Sequence, residues 1–221
     1  MNVLVIGASR GIGLEFVRQY RAEGHAVAAT ARDEAGLDRL RALGAEAFAL
    51  DVTDAASASG LAWRIDGIAF DVVVLNAGVY GPRSTALEAP SADEFDAVMR
   101  TNVLGPMRML AQLGDAFAPG GRLAVLSSRM GSMTLRTNPS GWLYRASKAA
   151  LNSVLKDASI EFDGRAICIA FHPGWVRTDM GGGGADLPPA QSVSDMRRTL
   201  AHVTEADNGG FFNHDGKPLA W

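Results

Sequence analysis

One cysteine, Cys168, stands in the 221 residues, so no internal disulfide can form. It lies in the apolar run Ala166-Ile-Cys-Ile-Ala170, where a buried, inert thiol is expected. There is no run of lysines or arginines, and the formal net charge is -3. That excludes a basic field for a nucleic-acid backbone. The four histidines are scattered, without the spacing of metal ligands. No apolar stretch approaches a membrane span, and the first, residues 3–6, is too short for a signal peptide. Repeats and long linkers are missing too. These absences lead to the expectation of a soluble, cytoplasmic protein forming a single domain over residues 1–221. A hydrophobic content of 48% with 20% charged residues suits a well-buried globular core.

What is present is an alternation of short apolar strands and helical stretches. Strands are expected at residues 2–6, 25–30, 45–50, 71–75, 121–126 and 165–171, with an edge strand at 210–213. Helices are expected at 14–23, 35–43, 55–65 and 192–203. A long one should run from 91 to about 117, opening on the capping-box sequence Ser91-Ala-Asp-Glu94. Such alternation predicts an α/β fold, a doubly wound parallel sheet with helices on both faces. Ligands of such sheets bind beyond the carboxyl ends of the strands, where Gly7, Asp51 and Asn76 stand. The turn Gly7-Ala-Ser-Arg-Gly-Ile-Gly13 joins the first strand to a helix, which makes a phosphate cradle. Its spacing differs from the G-x-G-x-x-G fingerprint, and any tight turn there favours glycine. Residues 181–184 are four glycines and read as a flexible hinge or lid.

Tyr144 and Lys148 are four apart in an expected helix spanning about 141–163, so they share one face. A cation beside a phenol favours phenolate, which predicts a tyrosine pKa lowered towards working pH. Such a phenol can act as general acid or base. The plainer alternative is a surface pair of little energetic consequence.

Together, Gly7-Ala-Ser-Arg-Gly-Ile-Gly13, Asp51, Asn76-Ala-Gly78, Asn102, Ser128, Tyr144-x-x-x-Lys148 and Pro173-Gly-x-x-x-Thr178 resemble the short-chain dehydrogenase/reductase family, in the family's order. The stretches Ser127–Ser132, Tyr144–Asn152 and His172–Gly182 are similar to its sniffer-type carbonyl reductase and C-factor subgroup, as is the tail 215–221. The resemblance implies a Rossmann-type sheet of about seven strands in the order 3-2-1-4-5-6-7. It also implies hydride transfer from a nicotinamide to a carbonyl carbon. Tyr144 would protonate the oxygen. Lys148 would tune that phenol and hold the nicotinamide ribose, and Ser128 would steady the developing charge. Asn102 would hold a relay water, its plainer reading being a polar residue on an exposed helix. Ser128 stands sixteen residues before Tyr144; the family's more common place, thirteen before, is Gly131 here. Ser132 is the rival, and Ser127 is expected to point away.

The resemblance assigns the cofactor to Gly7, Ser9, Arg10, Gly11 and Ile12 at the first turn, then to Arg32, and to Asp51 and Val52 at the adenine. Asn76, Ala77, Gly78, Tyr144, Lys148, Pro173, Val176 and Thr178 would complete the site. The plainer readings make Asp51 a helix cap before Thr53, Asn76 a tie between strands and His172 structural. An NAD-selective site places a carboxylate where this chain has Ala31. Arg32 follows, and Arg10 is expected to face the same ribose, so a bias towards NADP(H) is expected, with NAD(H) still accepted. Arg32 pairing with Asp33 or Glu34 is the alternative. Ser128, Tyr144, Met130, Leu135, Trp142, Trp175 and Met180 are expected around the substrate, which suits a small, mostly apolar ketone or aldehyde. The expected function is NADPH-dependent carbonyl reduction; the alternative is a C-factor-type signalling protein. A homodimer is expected through helices 91–117 and 141–163, using Met107, Leu110, Leu113 and Val154.

Overall fold

The computed structural model describes residues 1–221. Its elements follow one another as β1 (Asn2–Ile6), α1 (Gly11–Ala22), β2 (Ala26–Ala31), α2 (Glu34–Ala42), β3 (Glu46–Ala49), α3 (Ala55–Ser59), α4 (Leu61–Arg64) and β4 (Phe70–Leu75). Then come α5 (Ala92–Met99), a π-helical turn (Arg100–Leu104), α6 (Gly105–Leu110), β5 (Phe117–Leu126), α7 (Trp142–Glu161), β6 (Ala166–His172), α8 (Pro189–His202) and β7 (Gly210–Asn213). The seven strands form one sheet in the order β3-β2-β1-β4-β5-β6-β7. Every pairing in it is parallel.

Successive side chains on a strand point to opposite faces, and here both faces are covered. Leu4 and Ile6 pack with Val73, Leu75, Leu123 and Val125 under α6 and α7. Val3 and Val5 pack with Val72, Val74, Ala124 and Ile169 under α1, α2 and α8. The continuous apolar runs of β1 and β4 follow from that: no position on them faces water.

Three expectations need correction. The long helix from 91 does not reach 117. Its start has the full capping box between Ser91 and Glu94, but Gly105-Pro106 removes a helical N–H, and the chain widens into the π turn before α6. α6 ends at Leu110, and Phe117 already belongs to β5, pairing with Phe70 ahead of a register shift. The expected helix 55–65 is two short helices meeting at Gly60. The apolar dimer face is also different. Leu113 is 0% exposed and Leu110 and Val154 are buried in the core, so only Met107, at 50%, stands outward among the four.

Leu155 of α7 is fully buried against the sheet. Leu155→Ala is expected to cost about 2–5 kcal/mol of stability, seen as a lower urea midpoint at an unchanged slope. An unmoved midpoint would mean that this contact does not hold α7 to the sheet.

Candidate functional site

The carboxyl ends of β1 to β6 open into one cleft of about 410 Å³. On its first wall are Gly7, Ser9, Arg10, Gly11 and Ile12. Thr30, fully buried at the end of β2, holds this turn: its hydroxyl accepts from the Gly7 N–H at 3.0 Å, and its carbonyl from Ala8 at 2.8 Å. Gly7 and Gly11 have φ of +82° and +55°, and no side chain caps the N-terminus of α1. A methyl on Gly13 would collide with the Gly7 carbonyl and the Asn76 amide. Asn76 donates from Nδ2 to the Gly7 carbonyl at 2.6 Å, tying the turn to the end of β4. It lines the cleft with Ala77 and Gly78.

At the far end, Arg32, Asp51 and Val52 line the cleft. Burial pushes the Asp51 carboxyl up, but the N–H and hydroxyl of Thr53, both bound to Oδ1, outweigh it and leave the pKa lowered; Arg32 adds to this. Asp51 is not the cap of α3; Asp54 is, accepting from Ala56. Arg32 forms no ion pair with Asp33 or Glu34: Asp33 caps α2 through Gly36, and Glu34 pairs with Arg41. Arg10 is already engaged, bonding Asp179 at 2.6 Å, with both side chains largely exposed. Pro173 and Thr178 reach the cleft, whereas Val176 is buried, bridges to Leu187 and does not line it.

Tyr144 and Lys148 stand on one face of α7 and line the cleft. Both are buried, and the Lys148 Nζ donates to the Leu126 carbonyl at 2.8 Å and lies 5.7 Å from the Tyr144 ring centre. Burial dominates both groups. It pushes the phenol up to about 12, against the pull of the Ser128 hydroxyl within hydrogen-bonding reach, and Tyr80 nearby pushes it further. It brings Lys148 down to about 8. The expected lowering of the Tyr144 pKa is therefore reversed.

The rival serines have other partners. Ser132 donates to the Ala220 carbonyl at 2.7 Å, and Ser127 bonds Asn152 Oδ1 at 2.5 Å. Asn102 sits in the π turn with 0% exposure, so it is no residue of an exposed helix. Its carboxamide takes both the N–H and the carbonyl of Val79 and donates to Ser147. A methyl on Gly78 would stand 3.3 Å from Asn102 Oδ1 and 3.4 Å from Lys148 Nζ, so these groups converge there. Of the expected substrate residues, Tyr144 and Met180 line the cleft, whereas Ser128, Met130, Leu135, Trp142 and Trp175 do not; Ser127, expected to point away, does line it, with its hydroxyl turned to Asn152. The glycine run is fastened: the Trp175 indole donates to the Gly181 carbonyl, and residues 175–177 pair with Leu187. Sequence reasoning missed Tyr80, whose ring stacks on Tyr144 with centres 4.6 Å apart. The available signal was an aromatic residue two places after Asn76-Ala-Gly78, in a chain with three tyrosines.

The model of the short chain dehydrogenase family matches residues 1–185. The chain belongs to that family. C-signal of Myxococcus xanthus is 35% identical to this short-chain dehydrogenase over 154 residues, covering 68% of it and 92% of C-signal. A short-chain dehydrogenase/reductase from Burkholderia multivorans, solved with bound NADP, has a TM-score of 0.90 at 31% identity, covering 100% of this chain and 99% of that one. Carbonyl reductase Sniffer of D. melanogaster has a TM-score of 0.87 at 29% identity, with the same coverage of both chains. No helix of this short-chain dehydrogenase is long and apolar enough to cross a membrane.

His172, at the end of β6, has a wholly buried Nδ1 without a partner. Burial, with His214 and Arg129 close by, brings its pKa down from 6.5 to about 4. Below pH 6.5 the unfolded chain binds a proton that the folded chain refuses. Stability is thus complete above about pH 6.5 and falls as pH drops towards 4. At pH 5 the loss is expected to be about 2 kcal/mol against pH 7.5. Urea titrations at both pH values check this; His172→Gln should flatten the difference, and an equal drop in the variant would assign it elsewhere.

Proposed function

We propose that this chain is an NADP(H)-preferring oxidoreductase that reduces small, mostly apolar ketones or aldehydes, with Tyr144 as proton donor. The observation that carries it is the enclosed Tyr144, held protonated beside Ser128 and Lys148 at the wall of a cleft that ends on Arg32. The cleft follows five inter-strand steps from β3 to β6, roughly 24 Å at sheet spacing, which suits an extended dinucleotide. The uncapped N–H groups of α1 and the glycine backbone suit its phosphates. Gly7, Gly11 and Ile12 would hold the pyrophosphate, Arg10 and Arg32 the adenosine ribose, Asp51 and Val52 the adenine, Lys148 the nicotinamide ribose, and Pro173 and Thr178 the nicotinamide end. Bound there, the cofactor would supply the hydride.

The protein groups do the rest. Tyr144 donates its phenolic proton to the carbonyl oxygen, and Ser128 hydrogen-bonds that oxygen as charge develops. A phenol pushed up to about 12 keeps its proton at neutral pH, the form a reduction needs. Lys148, near 8, can exchange a proton close to working pH and return one to Tyr144. Asn102 braces the Val79 backbone beside both. The alternative, a signalling protein, is favoured by one observation, the likeness to C-signal; a sensor has no use for a poised acid. A homodimer through α5 to α7 would use Phe95, Met107 and Ile160, which are among the exposed apolar residues of those helices.

Tyr144→Phe is expected to bind NADPH and lose about a hundredfold or more in turnover on a carbonyl panel, because positioned proton transfer is worth that much. Ser128→Ala should lose turnover and Ser132→Ala should keep it. More than about a tenth of wild-type turnover in Tyr144→Phe removes it as the acid, and the reverse serine result moves that assignment.

For the cofactor, Arg32 is free to grip a ribose phosphate, whereas Arg10 must first leave Asp179. That exposed pair contributes little, so the exchange is cheap. Arg32→Ala is expected to lower the ratio of kcat/KM for NADPH over NADH by about tenfold or more, and Arg10→Ala by less. Wild type using NADH equally well, or both variants keeping its ratio, would defeat the electrostatic account.

A further inference from the structure

We infer that Tyr80 is a positioning residue for proton donation: its ring, held between Arg83 and Tyr144, fixes the Tyr144 phenol where the carbonyl oxygen must arrive. The inference rests on the reading of Tyr144 as proton donor. Neither neighbour of Tyr144 in the reactive set sets the plane of its ring. Ser128 approaches the hydroxyl, and the Lys148 ammonium is directed to the Leu126 carbonyl. The flat contact is Tyr80, 4.6 Å away between ring centres and tilted by 22°, a stacked arrangement.

Tyr80 is itself clamped. The Arg83 guanidinium lies 5.0 Å from the Tyr80 ring centre, and its Nη2 donates to the Met180 carbonyl at 2.8 Å. The Tyr80 ring is thus packed against both the Tyr144 ring and the Arg83 guanidinium. Its hydroxyl lies against Gly141, where a methyl would stand 2.5 Å away, at the start of α7. The phenol of Tyr80 therefore points at a helix end, so Tyr80 acts through its ring.

The same loop is registered against the π turn and α7 one residue at a time. Gly78 lies against Lys148 and Asn102, Val79 is bonded at both backbone groups by Asn102, and Tyr80 covers Tyr144. The Ser84 carbonyl then accepts from the Gly141 N–H at 2.9 Å. Positioning of this kind governs rate because a donor displaced by about 1 Å costs on the order of a hundredfold.

The test compares Tyr80→Phe and Tyr80→Leu. The Phe variant, which keeps the ring, should retain kcat within about threefold for NADPH-driven reduction of a carbonyl that wild type accepts. The Leu variant should lose at least about tenfold in kcat, with KM changed much less and with NADPH affinity and Tm close to wild type. Tyrosine is present only at positions 20, 80 and 144, so labelled rings give three resonances assignable by single Phe replacements. The Tyr144 resonance should keep its ring-current shift in Tyr80→Phe and lose it in Tyr80→Leu. If the Leu variant does not fold, Arg83→Ala takes its place, with an expected loss of about threefold or more in kcat. An active wild type whose Leu variant keeps its kcat, or a Tyr144 resonance unmoved by that change, overturns the inference alone. A wild type inactive on every carbonyl tested overturns the proposed function and this inference with it.

Discussion

Desolvation of Tyr144 and Lys148 is the constraint on which the rest of the site depends. An ammonium taken out of water needs a strong acceptor, and the Leu126 carbonyl at the end of β5 provides it. That carbonyl is available because β5 ends there, at the rim of a sheet whose interior carbonyls are used in the ladder. The lysine is thus held at the end of a central strand, with α7 packed on the core through Leu151, Leu155 and Ala158. Burial also sets the direction of both titrations, upward for the phenol and downward for the amine. A pair enclosed in this way exchanges protons differently from the same pair on a wet helix.

Enclosure requires walls, and the loop after β4 supplies one of them. Asn76 holds its beginning to the glycine turn, and Asn102 holds Val79. Asn102 can do so only because the π turn replaces a helical one at residues 100–104 and swings its side chain inward. Gly105-Pro106 gives that turn its cause in the sequence, since proline withholds the N–H that a regular helix would use. A local break in helical hydrogen bonding is therefore what lets a polar side chain reach the protein interior fully bonded.

Much of this was legible in the sequence. The apolar runs of β1, β4 and β6 and the helices between them dictate parallel strands covered on both faces, and the order of the glycine, Asn76, Tyr144 and Pro173 motifs places the cleft at the carboxyl ends. The failures have specific causes. Helical periodicity continued through Gly105-Pro106 and hid the π turn. The β propensity of Phe117 was masked by Ala118-Pro119-Gly120, so β5 starts earlier than expected. Leu113 looked like an outward residue of a helix that had already ended. The Tyr144 pKa was misjudged because spacing reports which residues are neighbours and says nothing of how much water they lose.

Charge at the two ends of the cleft follows a different rule from its middle. Tyr144 and Lys148 are controlled by burial, whereas Arg10, Arg32 and Asp179 are exposed and act in screened solvent. The Arg10–Asp179 pair bridges the glycine turn and the loop after β6 across the opening. In water such a pair is weak and easily exchanged, so it can yield its guanidinium to a stronger anion without cost to the fold. A ribose phosphate is such an anion, because it can take forked hydrogen bonds from a guanidinium. On the proposed function, the buried end of the cleft would suit the chemistry and the exposed end the choice of cofactor, so substitutions at the exposed end would change that choice while leaving Tyr144 and Lys148 as they are.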